Sequence, residues 1–212
     1  MRSDQAKDLL NGVRDGTVSV DEAVRLLRRL PFDDINFARP DTHRELRQGF
    51  AEAIYAESKT ADQVVAIVHR LLEATSGPVL ATRVPTETAD LLATEFPDAS
   101  RHDLARIVVL RASEAPEQDL GLVAVVSAGT SDLPVAAEAT VVAETLGARV
   151  ESLTDVGVAG LHRLLTYQDL LYEADVVIVV AGMEGALASL VGGISPAPVV
   201  AVPTSVGYGS SF

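Results

Sequence analysis

A three-layer, doubly wound α/β fold on a parallel sheet is the architecture this sequence predicts, and three observations predict it. Apolar runs rich in β-branched residues recur at 120–126, 174–182 and 197–202. Each has the length of a strand buried on both faces, well short of the roughly 20 residues of a membrane span. Helix-patterned segments alternate with these runs, the order of strand, crossover helix and parallel strand. Polar, glycine-bearing corners stand just after the runs, where parallel sheets bind ligands.

Taken in order, the first fifty residues are more charged and helical than the rest. Ser19-Val20-Asp21-Glu22 has capping-box spacing before Ala23-Val24-Arg25-Leu26-Leu27, and Leu30-Pro31 ends that helix. A polar link follows through Asp33-Asp34 and Arg39-Pro40-Asp41. Thr60-Ala61-Asp62-Gln63 is a second capping box, opening a helix whose apolar face is Val64, Ile67, Val68, Leu71 and Leu72. Val79-Leu80-Ala81-Thr82 is a short strand. From Thr86 the spacing predicts a helix to Phe96, a strand at 105–110, a charged loop at 114–119 and a strand at 121–127. Helix 132–146, strand 148–153, helix 160–172, strand 175–181, helix 184–191 and strand 198–202 complete a regular alternation.

Composition narrows the function. The 212 residues carry a formal charge of −13, which opposes the phosphate neutralisation that nucleic-acid binding requires. Mean hydropathy of +0.23 reflects buried strands, and no run is long enough to be a membrane partner. The N-terminal Met1-Arg2-Ser3-Asp4-Gln5-Ala6-Lys7-Asp8 lacks a secretory apolar stretch, so a cytoplasmic location is expected. With zero cysteines there are no disulfides, thiolate metal ligands or cysteine nucleophile within these residues.

The chemistry concentrates at the corners. At Gly129-Thr130-Ser131-Asp132, two hydroxyls, a carboxylate and glycine-freed backbone meet the first turn of a helix, where the dipole favours an anion. The same residues also suit a helix cap with no ligand. Asp132 is an awkward phosphate neighbour: two like charges ~4 Å apart repel by about 4 kcal/mol at an effective dielectric of ~20, against ~0.3–1 kcal/mol from a helix end. It therefore turns to a sugar hydroxyl, pairs with a proton donor or metal, or transfers protons.

His162, among four histidines the one at a polar corner, is either structural or a proton carrier near Asp132. His43, His69 and His102 read as solvated. Arg163 suits a phosphate, a carboxylate or plain solvation. Glu184, between Gly182 and Gly185, is either a helix N-terminal acid or a reacting group. The glycines permit close approach of a ligand or tight packing of helix on strand. Neither the dinucleotide fingerprint nor the phosphate loop is present.

Several ordered motifs together resemble the LarB family. They are Asp41-Thr42-His43-Arg44-Glu45-Leu46-Arg47-Gln48-Gly49-Phe50, Ala128-Gly129-Thr130-Ser131-Asp132-Leu133-Pro134, Asp155-Val156-Gly157-Val158-Ala159-Gly160-Leu161-His162-Arg163, Ala181-Gly182-Met183-Glu184-Gly185 and Val202-Pro203-Thr204-Ser205-Val206-Gly207-Tyr208-Gly209. That family makes the first intermediate of the nickel-pincer cofactor of lactate racemase. Its core is similar to PurE, the aminoimidazole ribonucleotide carboxylase, which has a flavodoxin-like fold. The resemblance implies a helical and small α/β N-terminal segment at 1–118 and a PurE-like catalytic domain at 119–212 that lacks its C-terminal end.

It implies carboxylation of nicotinic acid adenine dinucleotide at pyridine C5, with phosphoanhydride hydrolysis releasing AMP. Asp132, His162 and Glu184 are then the catalytic candidates, with Glu184 removing the C5 proton. Gly129, Thr130, Ser131, Pro134, Gly160, Arg163, Gly182, Met183, Gly185, Ser205 and Gly207 are the substrate contacts. Carbon dioxide or bicarbonate is the co-substrate, magnesium at the pyrophosphate is compatible with the acidic chain, and no organic cofactor is expected. In that family a cysteine nucleophile follows the Gly-Tyr-Gly-x-Ser-Phe motif, so the resemblance implies that the equivalent position is expected past Phe212. A homo-oligomer, an octamer by resemblance, is expected. A PurE-type carboxylase and a noncatalytic nucleotide-binding module are the rival functions.

Overall fold

The computed structural model describes residues 3–28, 34–112 and 120–207. Its contacts divide the chain into two units, Met1–Arg101 with Val108–Ala115, and His102–Ile107 with Pro116–Phe212. The predicted helix stop at Leu30-Pro31, the charged loop at 114–119 and the last corner beyond Gly207 lie outside the described residues.

The first unit opens with two helices, α1 (Ser3–Arg14) and α2 (Val20–Arg28). The Ser19 hydroxyl accepts the Glu22 amide at 3.1 Å, as the capping-box spacing predicts. A one-turn helix α3 (Arg44–Gln48) ends at Gly49, whose φ of 85° is a left-handed conformation that glycine adopts freely. Around it the motif 41–52 is knitted by polar bonds. The Asp41 carboxylate pairs with Arg47 at 2.5 Å and accepts the His43 amide at 3.2 Å, while Glu52 accepts the Asp41 amide at 2.8 Å. Partial burial pushes the Asp41 carboxyl up, but its bonds to Arg47 and the His43 amide and the nearby Arg44 charge outweigh this and lower its pKa. His43, expected to be solvated, is buried.

Strand β1 (Ile54–Tyr55) leads into α4 (Ala61–Ala74), whose Thr60–Gln63 capping box forms in both directions. Val64, Ile67, Val68 and Leu71, spaced for one helix face, enter the core with Ile54, Val79, Ala81, Leu92 and Val108. Strand β2 (Val79–Thr82), helix α5 (Thr86–Glu95), and strands β3 (Ser100–His102) and β4 (Ile107–Leu110) complete a sheet of order β1-β2-β4-β3. Strand β1 is parallel to β2, and β2 is antiparallel to β4. The strand expected at 105–110 thus belongs to a mixed N-terminal sheet and not to the parallel series, because β3 precedes it with no crossover helix between.

Arg111 closes this unit. Its guanidinium donates to the carbonyls of Leu72 at 2.6 Å and Thr75 at 2.8 Å, satisfying acceptors that the end of α4 leaves open. Because hydrogen bonds from a charged donor are worth ~1.5–3 kcal/mol, Arg111→Ala is expected to lose about 2 kcal/mol. Urea unfolding followed by circular dichroism measures it, and a midpoint equal to wild type is the contrary result.

The second unit is an α/β sandwich on a wholly parallel sheet. In chain order it runs β5 (Leu122–Ser127), α6 (Leu133–Thr145), β6 (Arg149–Leu153), α7 (Leu161–Leu165), α8 (Gln168–Glu173), β7 (Val176–Ala181), α9 (Ala186–Ile194) and β8 (Val199–Pro203). Sheet order is β6-β5-β7-β8, with Val126 opposite Leu153 and Val179, and Ala181 opposite Pro203. Alternate residues serve opposite faces. Ala124, Val126, Val177 and Val179 pack with Leu164, Leu171, Leu187 and Val191 from α7, α8 and α9. Val125 and Val180 pack with Ala136 and Val135 of α6 on the other. The single helix expected at 160–172 is broken at Thr166-Tyr167, where the Thr166 hydroxyl bonds the Arg163 carbonyl at 2.7 Å. No helix among the described residues is long and apolar enough to cross a membrane.

Candidate active site

The strand order makes the site. From β5 the chain leaves through α6 on one face, and from the adjacent β7 it leaves through α9 on the other. Two neighbouring strands whose connections diverge leave a crevice at their carboxyl ends, the switch point at which open parallel sheets bind ligands. The corners after β5 and β7 flank it, and those after β6 and β8 lie along the same edge.

Main-chain bonds stitch these corners together. The Gly157 amide donates to the Ala128 carbonyl at 2.9 Å, Thr204 to Ala181 at 3.0 Å, and Met183 to Val206 at 3.1 Å. The glycines are there because the strands' ends crowd one another. A Cβ on Gly157 would lie 2.9 Å from the Ala128 carbonyl oxygen, and one on Gly182 2.3 Å from that of Val206. Met183 itself adopts a left-handed φ of 54°, sparsely populated for a side chain of its size.

After β5, Thr130–Asp132 forms one turn of 3-10 helix, with Pro134 in the first turn of α6, a position its fixed φ suits. Thr130 and Ser131 are exposed, whereas Asp132 is 3% exposed. Asp132 occupies the N-cap position of α6 without capping it. Its carboxylate turns inward: Oδ2 accepts the Gly129 amide at 3.0 Å, and Oδ1 accepts the hydroxyl of Thr204, itself 6% exposed, at 2.7 Å. Of the alternatives open for Asp132, pairing with a proton donor is the one the side chain adopts, and the donor is Thr204. The sequence does not mark Thr204 as that donor, because a lone threonine after a strand carries no sign of a partner 72 positions away.

The other candidates differ in kind. His162, in the first turn of α7, and Glu184, in the turn just before α9, are exposed to solvent. Arg163 forms an ion pair with Asp155, so its charge is already partly committed. Gly160, Gly185, Ser205 and Gly207 lie on the same edge; Gly185 and Gly207 have φ of 68° and 79°, and Ser205 is exposed. The unit thus brings to one edge a buried, locked carboxylate, exposed hydroxyls, an imidazole and a second carboxylate. Among the described residues no three His, Asp or Glu groups converge as a metal cluster.

Comparison with known proteins agrees with this architecture. Residues 32–113 match the family model of the LarB/PurE-like N-terminal domain, and residues 122–210 match that of AIR carboxylase. The chain is 33% identical over 213 residues to the uncharacterized protein MJ0165 of Methanocaldococcus jannaschii, an alignment spanning 96% of this chain and 82% of that one. The two matches fall in order on the two folded units, and the chain belongs to the LarB family, with a PurE-like carboxylase core.

Proposed function

We propose that the protein carboxylates the pyridinium ring of nicotinic acid adenine dinucleotide at C5 and hydrolyses its phosphoanhydride. The products are a pyridinium-3,5-biscarboxylic acid mononucleotide and AMP, on the route to a nickel-pincer cofactor. The observation that carries the reading is the pairing, in one chain, of the LarB/PurE-like N-terminal domain with an AIR carboxylase domain.

The balance is redox-neutral. Carbon dioxide replaces the C5 proton, and water is consumed at the phosphoanhydride. A pyridinium ring is electron-poor, so a nucleophile adds first to give an enamine-like carbon that attacks carbon dioxide; it leaves once the C5 proton is removed. In this chain's residues, Thr130 and Ser131 offer hydroxyls to phosphate and ribose, and the Asp132 carboxylate offers its remaining lone pairs to a sugar hydroxyl. Glu184, exposed between Gly182 and Gly185, takes the C5 proton, and His162 carries protons at the same edge. A serine such as Ser205 is a weak nucleophile without an activating base. A homo-oligomer is part of the reading: the exposed apolar residues Val158, Leu161 and Leu165 next to His162 suit a contact with a second copy.

The test incubates the product of the complete gene with labelled bicarbonate and either nicotinic acid adenine dinucleotide or aminoimidazole ribonucleotide. Mass spectrometry is expected to find label and AMP only with the dinucleotide. Label only in the purine precursor would establish the PurE-type reaction, which the AIR carboxylase match also accommodates. Glu184→Gln is expected to lower kcat about 10²–10⁴-fold, the range for a lost general base, with KM little changed. Unaltered kcat removes Glu184 from the chemistry.

A further inference from the structure

We infer that Thr204 is a positioning residue, which sets the Asp132 carboxylate in the crevice and ties its placement to the pairing of β7 with β8. The inference deepens the proposed function by adding a residue to the same site, and it rests on that reading only for its choice of ligand.

Three contacts carry it. The backbone of Thr204 is fixed to the end of β7 by the bond from its amide to the Ala181 carbonyl. Its side chain reaches past β7 to the corner after β5, where the hydroxyl donates a hydrogen bond to Asp132 Oδ1 at 2.7 Å. Both partners are buried, and the bond joins a hydroxyl to a charged acceptor, the stronger class. Threonine suits the task because two heavy atoms on Cβ restrict χ1 and hold the hydroxyl in one direction.

The third contact is a space. A Cβ on Gly182 would come within 3.0 Å of the Thr204 hydroxyl oxygen as well as 2.3 Å from the Val206 carbonyl. The glycine corner after β7 therefore leaves room for the Thr204 side chain to reach across to the corner after β5. Asp132 is held from two sides, by its own loop through the Gly129 amide and by the loop after β8 through Thr204. With one hydrogen bond on each oxygen it remains an acceptor for a ligand hydroxyl.

The experiment compares wild type, Thr204→Ser and Thr204→Val in the complete gene product, by calorimetric binding of nicotinic acid adenine dinucleotide and by amide hydrogen exchange of residues 128–133 without ligand. Thr204→Val is expected to weaken binding roughly ten- to a hundredfold, the effect of leaving a buried charged acceptor one donor short, and to speed exchange of 128–133 about tenfold or more. Thr204→Ser is expected to restore both to within about threefold. Thr204→Ala removes the donor without adding a methyl in its place, and carries the same two measurements if the valine variant does not fold. Wild-type exchange at 128–133 in the valine or alanine variant, or failure of serine to restore it, overturns the inference. Absence of binding by wild type overturns the choice of dinucleotide alone, because the exchange measurement needs no ligand.

Discussion

Asp132→Ala is expected to be the most destabilising single change in the second unit's site, lowering its stability by about 3 kcal/mol. The substitution removes the acceptor from two donors at once, the Gly129 amide and the Thr204 hydroxyl. A buried donor left without an acceptor costs ~1–3 kcal/mol, whereas a hydrogen bond kept in place contributes only ~0.5–1.5 kcal/mol. For a unit of roughly 100 residues a loss of 3 kcal/mol corresponds to a fall in Tm of about 12–24 °C. The control is the double variant Asp132→Ala with Thr204→Val, in which the hydroxyl no longer needs a partner. Its loss is expected to be smaller than the sum of the two single losses, the coupling that adjacent residues show. Differential scanning calorimetry measures all four proteins, and strictly additive losses would sever the link between the two residues.

Gly182→Ala is expected to cost the site its ligand while leaving the sheet folded. A Cβ there meets a backbone carbonyl, that of Val206, at 2.3 Å, and backbone cannot swing aside as a flexible side chain does. The loop after β8 must move outward, breaking the Met183–Val206 bond and drawing Thr204 away from Asp132. Forcing an extra carbon into a filled site costs ~1–3 kcal/mol, so the unit remains folded and the damage appears in binding, expected to weaken more than tenfold. The contrast with Gly129→Ala is informative. The nearest atom to a Cβ at Gly129 is Asp132 Oδ2 at 3.8 Å, an ordinary contact, and Gly129 has extended backbone that any residue adopts. Binding by Gly129→Ala is expected within threefold of wild type; equal behaviour of the two alanine variants in titration calorimetry would show that crowding at Gly182 is not what demands glycine.

How much of this could be read from the sequence depended on whether the signal was local. The parallel strands of the second unit stood out because burial on both faces demands continuous apolar runs, and their bounds fall within a residue or two of 121–127, 148–153, 175–181 and 198–202. The Thr60–Gln63 cap is equally local and forms as written. The weaker elements carried no such mark. Strand β1 is two residues long, and β3 is Ser-Arg-His, whose strand character comes from its neighbours alone. The strand at Ile107–Leu110 has the apolar pattern of a parallel strand yet pairs antiparallel, since pattern reports burial and not direction.

The candidate site divides the same way. Its corners were legible because parallel strands must end on one edge, and glycine there marks close approach. What Asp132 does with its charge was not legible, since its partner lies in another corner. Arg163 shows the converse: a basic residue beside a histidine suggests an anion from outside, but the structure supplies one from within, Asp155 eight positions earlier.

The bond between Asp132 and Thr204 also dates the site. Seventy-two residues separate them, so at ~5–20 residues per second a ribosome delivers the donor roughly 4–14 s after the acceptor. Helix α6 can form and β6 can pair with β5 meanwhile, but the carboxylate waits, half secured, until β8, which Thr204 follows, takes its place beside β7. A growing chain therefore holds no finished crevice, and the two-sided hold on Asp132 is completed only as the last strand of the described sheet docks.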